Sequence, residues 1–157
     1  MNEYDLRRAV ESADEQIRIG RERLTRSVRD AHRSGLSQRQ IAAASNRSQP
    51  EIARLLRFRG TSPRSRQLRR HREDLITLLA QHGLTNVRVF GSVATGADTD
   101  DSDIDLLVTP ARSLGLLAQA RVEVDASTLL GLPVDLALDD SLRDDLWERI
   151  TMEAVQL

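Results

Sequence analysis

Residues 90–108 read FGSVATGADTDDSDIDLLV, and this stretch decides the fold of the second half of the chain. Apolar residues typical of a strand lead into it and return at its end, so the pattern predicts two strands joined through a glycine-serine break and an acidic loop. Asp103 and Asp105 stand two residues apart at the start of the second strand. Because a strand projects residues i and i+2 from the same face, both carboxylates point to one side of the predicted sheet.

The two carboxylates and the glycine-serine break predict a site for a metal and a phosphate. Like charges placed this way repel unless a cation lies between them. Hard oxygen ligands, with no nitrogen or sulfur ligand nearby in the sequence, favour magnesium or manganese over zinc. Gly91 lets the backbone approach a ligand closely, and Ser92 can begin a helix whose free amides attract phosphate. Taken separately, a Gly-Ser turn is common and an Asp-x-Asp is usually a solvated strand end, but together they indicate a bound nucleoside triphosphate.

These residues resemble the signature of the DNA polymerase beta-like nucleotidyltransferases, in which Gly-Ser is followed after a short spacer by Asp-x-Asp. Gly91-Ser92 and Asp103-Ile104-Asp105 carry the resemblance, and the flanking residues are similar to the minimal nucleotidyltransferase branch of that family. The resemblance spans about residues 68–157. It implies an α+β fold, with a mixed β-sheet flanked by helices, and it implies ATP as substrate.

A third acid is expected in the short apolar run VDLAL at residues 134–138. A buried aspartate needs a partner, so Asp135 in such a run suggests a role, although a strand-edge aspartate without one is the alternative. The family has a third metal-linked acid on a strand at this place, and Asp135 matches it. The resemblance therefore implies that Asp103, Asp105 and Asp135 are the catalytic and metal-binding residues.

Gly91 and Ser92 are the expected nucleotide-binding residues, and one position near them departs from the family. Many relatives have arginine where this chain has Thr95. One cation that neutralises phosphate is therefore either missing or supplied by Arg88.

The charge of the chain is divided sharply between its two halves. All 23 basic residues are arginine; residues 1–72 hold 18 of them against 8 acidic residues, and residues 73–157 hold 5 against 16. A basic half suggests a polyanionic partner such as nucleic acid, and an acidic half suits metal-assisted chemistry or a basic protein partner. Attraction between the two halves is the alternative.

Residues 37–58 predict a helix-turn-helix. Ser37 and Ser48 can each cap a short helix, and the residues between the two helices are turn-like. The sequence GLSQRQIAAASNRSQPEIARLL resembles the phage-repressor-like (XRE) class of this motif, whose second helix enters the major groove of DNA. The resemblance implies that bases are contacted by Arg47, Ser48, Gln49 and Glu51. It implies that phosphates are contacted by Arg39, Arg54 and Arg57. A helical hairpin with no role in DNA binding is the alternative.

The remaining segments complete a two-domain plan. Apolar residues at three-four spacing predict one long helix over residues 3–33, whose stripe suits packing onto the next helices or a dimer seam equally. Gly60, Pro63 and neighbouring serines indicate a basic linker. We therefore expect a helix-turn-helix domain at residues 1–60, a linker at 61–72 and a nucleotidyltransferase domain at 73–157.

The absence of cysteine and lysine excludes several kinds of catalytic and structural site. The chain has no cysteine and no lysine, which excludes a disulfide framework, a thiol nucleophile, a P-loop lysine and Schiff-base chemistry. No apolar run approaches the length of a membrane span, and no secretory segment is evident at the N-terminus, so we expect a cytoplasmic protein without membrane partners.

The resemblance implies the function in most detail. The minimal family often supplies the antitoxin of a toxin-antitoxin pair, which adenylylates a HEPN-type toxin, and the helix-turn-helix would add repression of its own operon through operator DNA. The main alternative is a transcriptional repressor whose nucleotidyltransferase half is catalytically weak or binds a partner. A nucleotidyltransferase acting on nucleic acid or an antibiotic is disfavoured, because little chain follows the third acid to grip such an acceptor.

Overall fold

Helical segments fill the first half of the chain, whereas the strands all lie in the second half. The computed structural model describes residues 1–157 and separates into two compact units, Met1–Leu56 and Arg57–Leu157. Eight helices and a four-stranded mixed sheet make the fold α+β, which confirms the predicted class. None of the helices combines the length and the apolar composition that crossing a membrane requires.

The first unit consists of three helices: α1 (Glu3–Arg33), α2 (Gln38–Ser45) and α3 (Gln49–Leu56). α1 and α2 both begin with a capping box. The side chains of Asn2 and Ser37 accept a hydrogen bond from the backbone N–H three residues on, and their own backbone N–H groups donate to the side chains of Asp5 and Gln40. Between α2 and α3 the chain turns at Asn46, whose φ of 52° is left-handed. The small core of the unit contains Val28, Ile41, Ala42, Ile52 and Leu56.

The second unit is built on the sheet. Its strands are β1 (Leu84–Phe90), β2 (Ile104–Pro110), β3 (Val134–Leu138) and the two-residue β4 (Val155–Gln156), in the order β3-β2-β1-β4. β1 is antiparallel to both β2 and β4, while β2 and β3 are parallel. The sequence predicts the first three strands but gives no sign of β4, which is too short to show a pattern.

Five helices complete the second unit: α4 (Pro63–Arg70), α5 (Arg72–Gln81), α6 (Gly91–Thr95), α7 (Leu116–Leu130) and α8 (Asp144–Glu153). The expected linker at residues 61–72 is wrong in its central part, because α4 occupies it and buries Leu68 completely. Ser62 caps this helix, and Pro63 stands in its first turn. Both are ordinary signals for the start of a helix, and in the sequence they look the same as turn residues.

One face of the sheet holds the core of the second unit. Apolar side chains at alternate positions of β1, β2 and β3 point to this face, where they pack with leucines of α4 and α5 and with the buried side of α7. The strand residues concerned are Val87, Val89, Ile104, Leu106, Val108, Val134, Leu136 and Leu138. The intervening residues necessarily point to the opposite face, and these include the predicted acids of β2 and β3.

Candidate active site

The parallel pairing of β2 with β3 places two of the predicted acids side by side. Asp105 and Asp135 are direct partners in this register. Asp103 precedes β2 by one residue, and its charge acts on both of the other carboxylates. The structure therefore brings together the three acids that the sequence singles out, on the face of the sheet opposite the core.

The glycine-serine break lies against the same acids. Phe90 is the β1 partner of Asp105, so the chain turns at Gly91 directly beside that carboxylate. Gly91 has a φ of 68°, and a Cβ atom at this position would overlap Oδ2 of Asp105. Glycine fits the left-handed backbone at least cost, and any larger residue would require the Asp105 side chain to shift. The Gly-Ser pair and the Asp-x-Asp pair of the sequence thus form one structural feature.

Electrostatic repulsion is concentrated at this point. Burial raises the pKa of Asp105 above its ordinary value, and the negative charges of Asp135, Asp103 and then Glu153 raise it further. Burial likewise raises the pKa of Asp135, followed by the charges of Asp103 and Glu123. Both shifts have the sign expected when partly buried carboxylates lie close to one another.

The donor set suits a hard divalent cation. All of the converging groups are carboxylates, whose oxygens are the ligands that magnesium and manganese prefer. As they stand, the side chains do not form a cluster of three ligands around one point, so binding by all three acids requires them to close on the ion. Asp103 and Asp135 are exposed and Asp105 is half-buried, which leaves room for that rearrangement.

The short helix α6 follows the glycine turn. Its Ser92 hydroxyl makes no hydrogen bond within the chain, whereas the Thr95 hydroxyl donates back to the carbonyl oxygens of Gly91 and Ser92, both at 3.2 Å. Thr95 therefore serves its own helix and brings no positive charge to the site. Loop residue Thr99 is fixed from α4, because Nε of Arg64 donates to its carbonyl oxygen at 2.8 Å.

Arg88 is engaged elsewhere on the sheet. Its guanidinium donates to Oδ2 of Asp139 at 2.6 Å and to the Thr109 hydroxyl at 3.3 Å, and the Arg88 and Asp139 side chains are 17% and 15% exposed. A partly buried ion pair of this kind is costly to break. A nucleotide phosphate would have to compete with Asp139 for Arg88, so the structure does not favour Arg88 as the replacement for the missing family arginine.

Comparison with known proteins agrees with this geometry. Residues 68–157 match the family described as the nucleotidyltransferase domain. The chain belongs to this family. The sequence-based assignment of the second half is thereby confirmed, and the enzyme class is that of a nucleotidyltransferase.

Individual relatives cover the same half of the chain. Protein adenylyltransferase MntA of Thermococcus cleftensis is 33% identical over 91 residues, which are 53% of this chain and 92% of that protein. A solved structure of a protein assigned as a minimal nucleotidyltransferase is 42% identical and covers 59% of this chain and 94% of its own, with a TM-score of 0.53. A solved toxin-antitoxin structure with AMP-PNP is 27% identical and covers 54% of this chain and 69% of its own, with a TM-score of 0.50.

Three polar residues on one face of α7 form hydrogen bonds to β3, the strand that carries Asp135. Sequence reasoning missed them. β3 is an edge strand, so its outward backbone groups need partners. Glu123 accepts from the Leu136 amide at 3.0 Å, Gln119 donates to the Leu136 carbonyl at 2.8 Å, and the Ser127 hydroxyl accepts from the Val134 amide at 3.0 Å. Their spacing of four residues, one helical face, is the only sequence signal, and it is indistinguishable from that of a solvated face.

The predicted DNA-binding residues lie mostly on the surface of the first unit. Arg47, which precedes α3, and Glu51, in the first turn of α3, are both expected to face bases. They form an ion pair with each other, so base contacts by either require the pair to open. Arg57 follows α3, belongs to the second unit and forms a β-bridge with Gln156. The other members are exposed, and they are Arg39, Ser48, Gln49 and Arg54.

We expect Gly91→Ala to destabilise the second unit more than Gly96→Ala does. Both glycines have a positive φ, of 68° and 78°, but a Cβ at Gly96 would meet no atom within 4 Å. Gly96→Ala should therefore lower the free energy of unfolding by about 1–2 kcal/mol, the backbone cost alone, and Gly91→Ala should add the overlap with Asp105. Urea unfolding followed by Trp147 fluorescence measures both. Equal losses, or a Gly91→Ala loss unchanged in an Asp105→Ala background, would contradict the assigned contact.

We expect Asp105→Asn to raise the melting temperature at pH 7 in the absence of divalent cations. Because the pKa of Asp105 is raised in the folded chain, the folded state binds this proton more tightly than the unfolded state does. The carboxyl group thus contributes stability at low pH that is lost as the pH rises through the folded pKa. The gain should shrink as the pH falls toward the ordinary aspartate value of about 4. Asp74→Asn on α5 controls for removal of one negative charge; the same gain in both variants at pH 7 would refute the local cause.

Proposed function

We propose that this nucleotidyltransferase transfers AMP from ATP to a hydroxyl group of a partner protein, and that it acts as the antitoxin of a toxin-antitoxin pair. The juxtaposition of Asp105, Asp135 and Gly91 is the observation that carries the proposal, since it joins an acidic metal-type site to a turn suited to phosphate. The relative named protein adenylyltransferase MntA supports the reaction. The toxin-antitoxin structure with AMP-PNP, an analogue of ATP, supports the nucleotide and the biological role.

In the proposed reaction the three acids would hold magnesium, for which manganese could substitute. Bound there, a divalent cation supplies charge neutralisation for the α-phosphoryl group. Asp135 orients the acceptor hydroxyl and helps remove its proton. The new bond joins the acceptor oxygen to the α-phosphorus, and the bond from that phosphorus to the β-phosphate oxygen breaks in line, so pyrophosphate leaves. Gly91 and the free Ser92 hydroxyl face the β- and γ-phosphates.

The acceptor in this proposal is a HEPN-type toxin. The resemblance of residues 90–108 to the minimal nucleotidyltransferases motivates this choice, because antitoxins of that branch modify such toxins. The acidic composition of the second half suits contact with a basic protein surface.

The first unit adds DNA binding to the proposal, through which the protein represses its own operon. Two short helices, capped by Ser37 and Ser48 and joined at Asn46, support it, as does an exposed Gln49 at the start of the second helix. The excess of arginine in this half supplies the attraction to DNA phosphates.

A repressor without transferase activity is the second candidate. Thr95 in place of the family arginine favours it, since the Thr95 hydroxyl only returns to its own helix. The convergence of the three acids on one face of the sheet favours the enzyme instead.

The transferase proposal is tested with α-labelled ATP, magnesium and the protein encoded by the neighbouring gene. We expect label on the partner protein, and we expect Asp103→Ala, Asp105→Asn and Asp135→Asn each to reduce labelling at least 100-fold, because the phosphoryl charge is then left unbalanced. Asp74→Ala on α5 is the matched control and should label normally. Absence of label with the wild-type protein, together with binding of operator DNA, would favour the repressor.

The DNA proposal is tested by gel shift against the promoter of the same operon at several salt concentrations. Arg54→Ala should weaken binding to all sequences and lower the salt slope by about 1, whereas Gln49→Ala should reduce discrimination between operator and unrelated DNA. Arg112→Ala, an exposed arginine of the second unit, should change neither. If Arg112→Ala and Arg54→Ala weaken binding equally, the assignment of DNA binding to the helix-turn-helix is wrong.

A further inference from the structure

The N-terminal two thirds of α1 expose an apolar stripe. Leu6, Val10 and Ile17 are large apolar residues, and they are 52%, 48% and 51% exposed. Farther along the same helix, Val28 is buried in the core of the three-helix unit. One part of α1 therefore packs within the chain, while the other carries apolar residues into solvent.

The exposed stripe has the periodicity of a helix-pairing seam. Leu6, Val10, Ala13 and Ile17 follow one another at spacings of four, three and four residues. This alternation keeps one seam on a helix and is the pattern by which two helices pair through interlocking side chains. A long helix gains most of its stability from such packing, and the exposed part of α1 has only surface ion pairs, such as Arg18 with Glu15 and Glu22.

We propose that α1 pairs with α1 of a second copy of this chain, in antiparallel orientation. In this register Leu6 of each copy packs against Ile17 of the other, and Val10 of each packs against Ala13 of the other. All four apolar residues of the stripe are used, and each contact is made twice because of the two-fold symmetry. Along the helix, the two-fold axis crosses the seam at the level midway between Glu11 and Ser12.

Charge complementarity selects this occupant and this orientation. Arg7 and Asp14 occupy the positions that flank the seam, and in the antiparallel pair Arg7 of one copy lies beside Asp14 of the other, twice. Both side chains are available for such a pair. Asp14 makes no ion pair within the chain. Arg7 makes one with Glu3, but it is long, at 3.7 Å, and its side chains are 69% and 91% exposed, so it contributes little. In a parallel pair the flanking partners would be Ala9 with Asp14 and Gln16 with Arg21, which contain no opposite charges.

The extent of the seam gives a second argument for the antiparallel arrangement. A parallel seam would continue along α1 to Leu24, but Leu24 already packs against the core of its own three-helix unit. The antiparallel pair is centred near the beginning of α1 and ends before that residue. It therefore leaves the packing of α2 and α3 on α1 intact in both copies.

The oligomeric state of the full chain tests the proposal, independently of adenylyl transfer or DNA binding. Light scattering or sedimentation should give a dimer. Ile17→Glu should give a monomer, whereas Ser12→Glu, which adds the same charge outside the seam, should leave the dimer. Circular dichroism checks that the helices remain. A monomeric wild type, or an Ile17→Glu variant that dimerises as the wild type does, would overturn the proposal.

The orientation is tested by charge reversal and by cross-linking. Arg7→Glu and Asp14→Arg should each raise the dissociation constant of the dimer about two- to fivefold per ion pair, and the double variant should regain most of the loss. Because the chain lacks cysteine, Leu6→Cys and Ile17→Cys variants can be mixed and oxidised. Disulfides should join Leu6→Cys to Ile17→Cys chains, since two copies of either site lie about 16 Å apart along the antiparallel pair, beyond the ~7 Å limit between Cα atoms. Cross-links within each variant alone would show a parallel pair.

Discussion

The parallel pairing of β2 with β3 is the constraint on which the second unit and its candidate site depend. The register of this pairing fixes the carboxylates of Asp105 and Asp135 as neighbours, and on the opposite face the same register interdigitates the buried residues of the core. Moving either strand by one residue would bring the acids into the core and the apolar residues into solvent. Apolar burial on one face thus holds the charges together on the other, and a bound cation would relieve the repulsion that remains.

Much of this half could be predicted from sequence because its signals are local. The alternation of residues in VDLAL at 134–138 and the spacing of Asp103 and Asp105 each follow from strand geometry alone. That Asp135 joins the other two came from the family resemblance, since no local pattern specifies which strands are neighbours. The structure gives a physical reason for Gly91 that the motif itself does not contain, namely the nearness of the Asp105 carboxylate.

Other features of the site could not be predicted from the sequence, because they depend on contacts between distant parts of the chain. Arg88 looks like a free cation in the sequence, but Asp139 pairs with it from 51 residues away. Glu123 resembles an ordinary surface residue of α7 until its hydrogen bond to the Leu136 amide is known. The α4 helix was missed for a different reason, since Ser62 and Pro63 begin helices and turns alike.

Arginine supplies all 23 of the Lys and Arg positions in this chain, and its side chains do more than carry positive charge. In the second unit arginines are partners of defined acceptors: Arg88 holds Asp139, and Arg64 holds the Thr99 carbonyl. The Arg88 contacts exploit the fixed geometry of several donors on one planar group, which a lysine ammonium lacks. Arg88 is thereby paired with a carboxylate, which a nucleotide phosphate would have to displace. With Thr95 in place of the family arginine and Arg88 held by Asp139, the proposed reaction relies on the metal ion to balance the charge of a nucleotide.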